Sequence, residues 1–532
     1  MNSLKHTSFV YTPNTIHDII DRNMPPSTTN EKIGQLIAQI RQDRNLTQAD
    51  FAQKLGTSQS AVNRIEHGKQ NLSLETLGRM SDVLNKQLIS VSGGAVNLRI
   101  EGGHELSGEI TLKRSKNAAV GLLCASLLNQ GVTRLTAFPK IEEVFRIIEV
   151  LESIGVIIKW LPDGTLEIHR PAKLNLDHIN AEAARKTRSV IMLIGPLLHE
   201  YDHFKIPYAG GCKLGARSVE PHLFALENFG VSIVAAKGFY DVSVQTQPAG
   251  RIVLYESGDT VTENAIMAAA RSESETIIEF ASANYAIQDV CFFLQKLGVT
   301  IDGIGTSTLR IQGVKHIKRD VTYAPTEDPI EAMFFVSTAI TNNSSITIRR
   351  VPIEFMSLEL LKLEKMGARI DQSQRYKAEN GRTDLVDLTV HKHNGKLKAL
   401  LDKLHPNIFP AGINADNLPY FVPIAATVRG RTLIHDWMYE NRAIYYTELT
   451  KIGAEMELAD PHRIYITGPT KFTKADVVCP PALRPASLLL IGMLAAPGIS
   501  TLRDIYTINR GYEDLAARLN SLGAHITVLH EG

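Results

Sequence analysis

The sequence predicts an α/β body of two lobes, each built from three repeat units, preceded by a small all-α domain. Three observations carry that prediction. First, an amphipathic helix running into a glycine and then a strand recurs six times: LESIGVII, LENFGVSI, LQKLGVTI, LEKMGARI, LTKIGAEM and LNSLGAHI, with Gly155, Gly230, Gly298, Gly367, Gly453 and Gly523. Second, a small-residue helix, a polar turn and a strand lie between these copies: AAVGLLCASLLNQGVTRL, ENAIMAAARSESETIIEF, IEAMFFVSTAITNNSSITI, PYFVPIAATVRGRTLI and ASLLLIGMLAAPGISTL, with SVIMLIGPLLHEYDHFKI fitting less well. Third, Glu31 to Ile89 carries no strand pattern, only short amphipathic helical stretches broken at Asn45, Gly56, Gly68 and Asn71.

The glycines are 75, 68, 69, 86 and 70 residues apart. Solenoid repeats run about 20 to 45 residues, so the units are expected to pack as lobes rather than as a linear stack. Each glycine is placed to end its helix in the left-handed conformation that only glycine adopts without strain. Along the chain the expected order is a poorly ordered leader over 1–30 with a short helix around Ile16 to Ile20, a helical domain over 31–90, a linker over 91–96, and the α/β region over 97–532. Within the last, about 116–325 forms one lobe and about 97–115 plus 326–532 the other.

A chain of 532 residues, 44% hydrophobic and 21% charged, is too long for one small binding module and too apolar for global disorder. The balance of 57 Lys+Arg against 56 Asp+Glu excludes a strongly basic nucleic-acid coat, so any anion or DNA site is a local patch. Cys124, Cys212, Cys291 and Cys479 stand far apart with no CxxC pair, which argues against a disulfide framework and a cysteine zinc site. The start has no basic stretch followed by an apolar run, and the most apolar segments are short and interrupted by Gly or Pro. A cytoplasmic location without a membrane partner is expected.

In the helical domain, LTQADFAQKLGTSQSAVNRIEHG places Thr47 to cap a helix from Gln48, Gly56 in a tight turn, and Ser58 to cap a second helix. That second helix turns Gln59, Ser60 and Asn63 outward and Val62 and Ile65 inward. The segment resembles the Cro/repressor-type helix-turn-helix family, whose second helix enters the major groove. The resemblance implies base contacts from Gln59, Ser60 and Asn63 and a phosphate contact from Gln48. Eight basic against six acidic residues over Glu31 to Ser90 is a weak charge for a DNA binder, and a bundle for protein contacts is the competing reading.

Four segments of the α/β region carry polar and charged residues in contexts unlike an ordinary core. KRSKNAAVG sets Lys116 and Asn117 at the mouth of an apolar helix, where free backbone amides favour an anion; a lone Lys there is more often just solvated. YAGGCKLGARSVEPH surrounds Cys212 with glycines and with Lys213 and Arg217, which suits a reactive thiol on a mobile lid. Cys124 and Cys291 sit in apolar helices and read as buried structural thiols, and Cys479 has no functional case. NIFPAGINADNLPYF contains Asp416 as its only acid, either a helix cap or a base, and WMYENR ends in Arg442. PALRPASLLLIG and INRGYEDL supply Arg484 and Arg510, and ARKTRSV supplies Arg188. One thiol, one carboxylate and a set of cations at the edges of repeat units suit substrates bearing several phosphates and a carboxylate.

SKNAAVG, TRSV, GGCKLGAR, YENR, LRPAS and NRGYE, in that order and with the sixfold repeat, resemble the enolpyruvyl transferase family from Asn97 onward. Lys116, Asn117 and Cys212 are similar to the branch acting on UDP-N-acetylglucosamine rather than to the shikimate-pathway branch. The resemblance implies an inside-out α/β barrel in each lobe, closure on substrate, and no cofactor or metal. It implies transfer of enolpyruvyl from phosphoenolpyruvate to the 3′-hydroxyl of UDP-N-acetylglucosamine with release of phosphate, the first committed step of peptidoglycan synthesis. Cys212 would be the general acid and Asp416 the base for the sugar hydroxyl. Lys116, Arg217 and Arg510 would hold phosphoenolpyruvate. Arg188, the segment Arg217, Ser218, Val219, Glu220, Pro221 and His222, and the region of Met438 would bind the nucleotide sugar with Asn117 near the sugar, while Arg442 and Arg484 support the cleft. DNA and a second copy of the chain are the candidate macromolecular partners.

The chain departs from the family pattern in places. Ala482 stands where an Asp is usual, FPAGINAD is longer by four than the usual FPTD, and Gly258 and Asp259 replace Ser and Val, which would put an acid near the diphosphate. Ser218, Glu220 and Asn509 replace Pro, Asp and Asp. An alternative therefore stands beside the enzyme: a UDP-sugar-sensing transcriptional regulator with impaired catalysis, or a relative acting on another nucleotide sugar.

Overall fold

The computed structural model describes residues 96–208, 210, 218–245 and 247–530, and in the N-terminal part 46–69 with the single positions 34, 37, 38, 41, 42, 76, 80 and 83. The leader, with the helix expected around Ile16 to Ile20, and the segment holding Cys212 and Arg217 lie outside the described residues. The chain divides into two compact units, Met1–Val91 and Ser92–Gly532.

In the first unit, the helix Gln48–Leu55 begins at Thr47, whose hydroxyl accepts from Asp50 N while the Asp50 carboxylate accepts from Thr47 N, a reciprocal capping box. Gly56 ends it at φ 66°, and Ser58 caps the helix Gln59–Glu66 through Ala61 N. Phe51, Leu55, Val62 and Ile65 join Ile37 and Met80 in a small core. Beside it Arg41 Nη2 donates to the buried Glu66 carboxylate at 3.0 Å. Gln59, Ser60 and Asn63 are exposed, as their positions on the helix predict.

Among the described residues the second unit holds six sheets. Three use only strands from 132–323: Val321–Tyr323, Val132–Leu135, Leu166–His169 and Ile157–Trp160; Arg251–Val253, Thr276–Glu279, Thr308–Gln312 and Thr300–Asp302; and His203–Pro207, Phe239–Val244 and Val231–Ala236. Of the other three, one joins Val96–Gly102 and one joins Ser107–Thr111 to strands beyond residue 344, and the third is built from Gly430–His435, Arg463–Gly468 and Glu455–Asp460 alone. Each four-stranded sheet repeats one plan, in which a parallel pair at one edge continues into antiparallel strands. The sheet of His203–Pro207, which follows the poorly matching repeat, is three-stranded and wholly antiparallel. There the small-residue helix is broken into a 3-10 turn Ser189–Leu193 and a short helix Ile194–Leu197.

The six helix-ending glycines all have positive φ, from 79° at Gly230 to 101° at Gly298. Helices of the second motif are enclosed: every residue of Pro329–Thr341 is buried, and Leu483–Ala495 is buried from Arg484 to Leu494. Helices in the middle and strands outside are what an inside-out barrel requires, and they explain why these helices carry small and apolar residues all round. The strand Val96–Gly102 pairs with both Gly498–Arg503 and His525–His530, so segments distant in sequence close one sheet. Among the described residues no helix is long and apolar enough to cross a membrane.

Candidate active site

Lys116 opens the helix Lys116–Ser126, whose first turn is capped by Ser115. Its ammonium lies 3.6 Å from Glu143, a buried carboxylate on the helix Glu142–Ser153. Arg510, at the end of the helix Tyr506–Asn509, donates to the same Glu143 Oε2 at 2.8 Å, and the Thr187 hydroxyl donates to Oε1 at 2.7 Å. Burial by itself would raise the Glu143 pKa, but Lys116 and Arg510 outweigh it and hold the carboxyl down at about 2. Two of the cations singled out in the sequence therefore meet on an acid that had not been singled out.

Asp416 sits in the loop before the 3-10 turn Leu418–Tyr420. It does not cap that turn. Its carboxylate faces Arg484 at 3.2 Å and Arg442 at 3.7 Å, and its backbone N–H donates to the Asn414 side chain at 2.9 Å. Asn414 in turn donates from its backbone to the buried Glu359 at 3.0 Å and from its side chain to Asn284, 130 residues earlier in the chain, at 3.4 Å. The longer loop is thus anchored just before the acid. Burial raises the Asp416 pKa, while Arg484, Arg442 and Lys116 lower it further, so the net shift is downward and the carboxylate stays ionised.

The two arginines differ. Arg442 is 1% exposed at its side chain and spends its donors on Asp436, at 2.5 and 2.8 Å, and on the Ala415 carbonyl at 2.7 Å. It braces the loop from beneath. Arg484 contacts Asp416 and the Tyr512 hydroxyl at 3.1 Å. Ala482 is the N-cap of the Arg484 helix and supplies no side-chain cap.

A third group surrounds Arg188, which donates to the Ser218 carbonyl at 2.8 Å. Ser218 and Glu220 are exposed and Val219 half-buried at the start of the helix Glu220–Glu227, whereas Pro221 and His222 are buried. His222 contacts Thr260 Oγ1 and Asn264 Nδ2, each at 3.2 Å, and burial, with Arg188 nearby, pushes its pKa down to about 3. A neutral, enclosed imidazole positions Thr260 and Asn264. Asp259, expected near a diphosphate, is half-buried: its oxygens accept from Ser282 at 2.6 Å and Asn284 at 2.9 Å. Burial pushes its pKa up. Asn117 donates to the Tyr285 hydroxyl at 3.1 Å, and Met438 is exposed just beyond the strand Gly430–His435.

Gln48, expected on a phosphate, donates to Glu66 at 2.7 Å within the helical unit. Cys124, Cys291 and Cys479 are buried thiols; burial pushes the first two far up and Cys479 up to about 12, which makes them poor nucleophiles. Glu143, Asn414 and Asp436 escaped the sequence reading. One signal pointed to Glu143: it lies four residues before Ile147, on the apolar face of its helix, where an unpaired acid is out of place.

Residues 100–519 match the family model of EPSP synthase (3-phosphoshikimate 1-carboxyvinyltransferase), and residues 37–89 match a helix-turn-helix model. A UDP-N-acetylglucosamine 1-carboxyvinyltransferase of Gloeobacter violaceus is 32% identical over 430 residues, covering 81% of this chain and 90% of the relative. UDP-N-acetylglucosamine 1-carboxyvinyltransferase 1 of Symbiobacterium thermophilum is 33% identical over 433 residues, covering 80% of this chain and 94% of its own. Among solved structures, the enolpyruvyl transferase NikO of Streptomyces tendae superposes with a TM-score of 0.71 at 22% identity, covering 82% of this chain and all of that one. EPSP synthase of Acinetobacter baumannii gives 0.63 at 18% identity, covering 82% of this chain and 100% of its own. From the sixfold repeat, the enclosed helices and these matches, the chain belongs to the EPSP synthase family of enolpyruvyl transferases, with a helix-turn-helix region ahead of the transferase fold.

Proposed function

We propose that the chain transfers the enolpyruvyl group of phosphoenolpyruvate to the 3′-hydroxyl of UDP-N-acetylglucosamine, releasing phosphate. The observation that carries this reading is the run of relatives bearing that activity in their names, at 32% and 33% identity over at least 90% of their own length. The site geometry agrees with it. Lys116 and Arg510 would take the phosphate and carboxylate of phosphoenolpyruvate, replacing water with fixed positive charge. Asp416, ionised and partly exposed, would accept the proton of the sugar hydroxyl as its oxygen bonds to C2 of phosphoenolpyruvate. Cys212 would deliver a proton to C3, giving a tetrahedral phospho-ketal. Loss of a C3 proton and cleavage of the C2–O bond to phosphate would then restore the double bond. Arg188, Ser218, Val219 and Glu220 would face the nucleotide sugar, with His222 acting behind them through Thr260.

The helix-turn-helix unit would bind DNA through the exposed Gln59, Ser60 and Asn63. A cytoplasmic location fits both activities. Release of inorganic phosphate from the two substrates by the intact protein tests the proposal directly. If a characterised relative releases phosphate in the same assay and this protein does not, the transferase reading fails and a UDP-sugar-sensing regulator takes its place.

A further inference from the structure

Away from the transferase cleft, three side chains with metal-binding atoms converge on one sheet. Glu101 lies near the end of the strand Val96–Gly102 and pairs directly with His525, the first residue of the strand His525–His530. Directly paired residues of an antiparallel ladder project from the same face, with Cβ atoms about 5 Å apart. The chain then turns through Gly103, at φ 87°, a conformation that favours glycine, and brings His104 back over the pair. The His104 and His525 rings stack with centroids 4.1 Å apart, and His104 Nε2 lies 3.4 Å from Glu101 Oε1. One ligand atom from each of the three residues lies within 4.8 Å of the others. His104 Nε2 is shut off from solvent and has no hydrogen-bond partner, although its side chain is 37% exposed.

We propose that Glu101, His104 and His525 form a binding site for a divalent transition-metal ion, with zinc the best match. Two imidazoles and one carboxylate form a three-ligand set of the kind zinc takes, leaving a fourth position to water. Metal–ligand distances of about 2.0 to 2.2 Å place ligand atoms about 3.4 Å apart in a tetrahedron. The ligand atoms, within 4.8 Å of one another, are more widely spread than that, and the stacked imidazoles must turn so that their in-plane lone pairs converge on the ion. Calcium and magnesium are disfavoured because they select oxygen ligands, and no sulfur is present to favour copper(I). The ion is no part of the transfer reaction. Its effect is mechanical: His525–His530 is an edge strand bonded on one side only, and the metal clips its first residue to the neighbouring strand and the following turn.

The test uses the full chain stripped of metal and titrated with zinc, then with cobalt(II) as a spectroscopic probe. One zinc ion per chain is expected to bind in the micromolar range or tighter and to raise the melting temperature. His104→Ala and His525→Ala should each weaken binding at least about 10-fold, the loss that even outer partners of a metal ligand cause, and should abolish the thermal shift while leaving phosphate release unchanged. Because His104 lies in a turn, His104→Ala keeps the test valid if His525→Ala disturbs the strand. The proposal is overturned by the lack of a saturable ion, by zinc binding that survives in the double variant, or by a cobalt spectrum with a thiolate charge-transfer band, which would place the ion on a cysteine.

Discussion

Glu143 and Asp416 invite comparison, because each is a carboxylate set between two cations that hold its pKa down. Glu143 is 4% exposed at its side chain and already accepts from Thr187 and Arg510, with Lys116 at 3.6 Å. Asp416 is 26% exposed at its side chain, and its cations stand back at 3.2 and 3.7 Å. The first has used its oxygens; the second has one side open. Charge pairing therefore does not tell a base from a tether, whereas spare lone pairs and exposure do. Glu143 also ties together distant parts of the chain, since Arg510 reaches it from 367 positions away.

The comparison breaks most sharply at Asp416. Asp416→Asn keeps the shape and removes the proton acceptor, so kcat should fall by roughly 10²- to 10⁴-fold, the usual contribution of a general base, while calorimetry shows UDP-N-acetylglucosamine still bound. Activity within a few-fold of the native protein would move the base elsewhere. Glu143→Gln is expected to act differently, raising KM for phosphoenolpyruvate by about 10-fold through misplaced Lys116 and Arg510, with a smaller change in kcat. If kcat collapses and KM holds, Glu143 touches the reaction itself and the contrast is lost.

A third carboxylate supplies the case without a cation. Asp289 accepts from Thr326 N at 2.7 Å and from the Tyr323 hydroxyl, and burial pushes its pKa up to about 7. Its folded pKa lies above the unfolded value near 3.9, so the folded protein holds an extra proton between about pH 4 and pH 7 and loses stability as pH rises through that window. Asp289→Asn cannot lose that proton. From pH 5 to pH 7.5 the native protein should therefore lose ground to the variant in urea midpoint, by at most about 1.4 kcal/mol per pH unit. A gap that does not change with pH would mean that Asp289 is already ionised in the fold.

The repeats were legible because they are local. Each of the six glycines ends its helix within a few residues of the chain, and each takes the left-handed conformation expected of it. The poor fit of SVIMLIGPLLHEYDHFKI was informative too. A Cβ at Gly195 would lie 2.4 Å from the Asn264 carbonyl oxygen, so close packing of this short helix excludes a larger residue. The site was legible only where charge stood in an unusual local context, as at Lys116, Asp416 and Arg484. Glu143, Asp436 and Asn414 were missed because their meaning depends on partners brought in by the fold: an acid in the first turn of a helix reads as solvated until Lys116 and Arg510 arrive. Asp259 illustrates the converse. The family pattern put this acid near a diphosphate, and only the fold shows that its two oxygens also accept from Ser282 and Asn284, more than 20 residues on.

The strand Val96–Gly102 waits for partners that emerge late. The Asn97 side chain accepts from the Asp504 backbone N–H, 407 residues further along the chain. At ribosomal rates of about 5 to 20 residues per second, that partner appears roughly 20 to 80 s later. Sheets built wholly from 132–323 have all their strands well before then. During synthesis the central lobe is free to fold first, while the flanking strand remains a candidate for chaperone protection until its sheet can close.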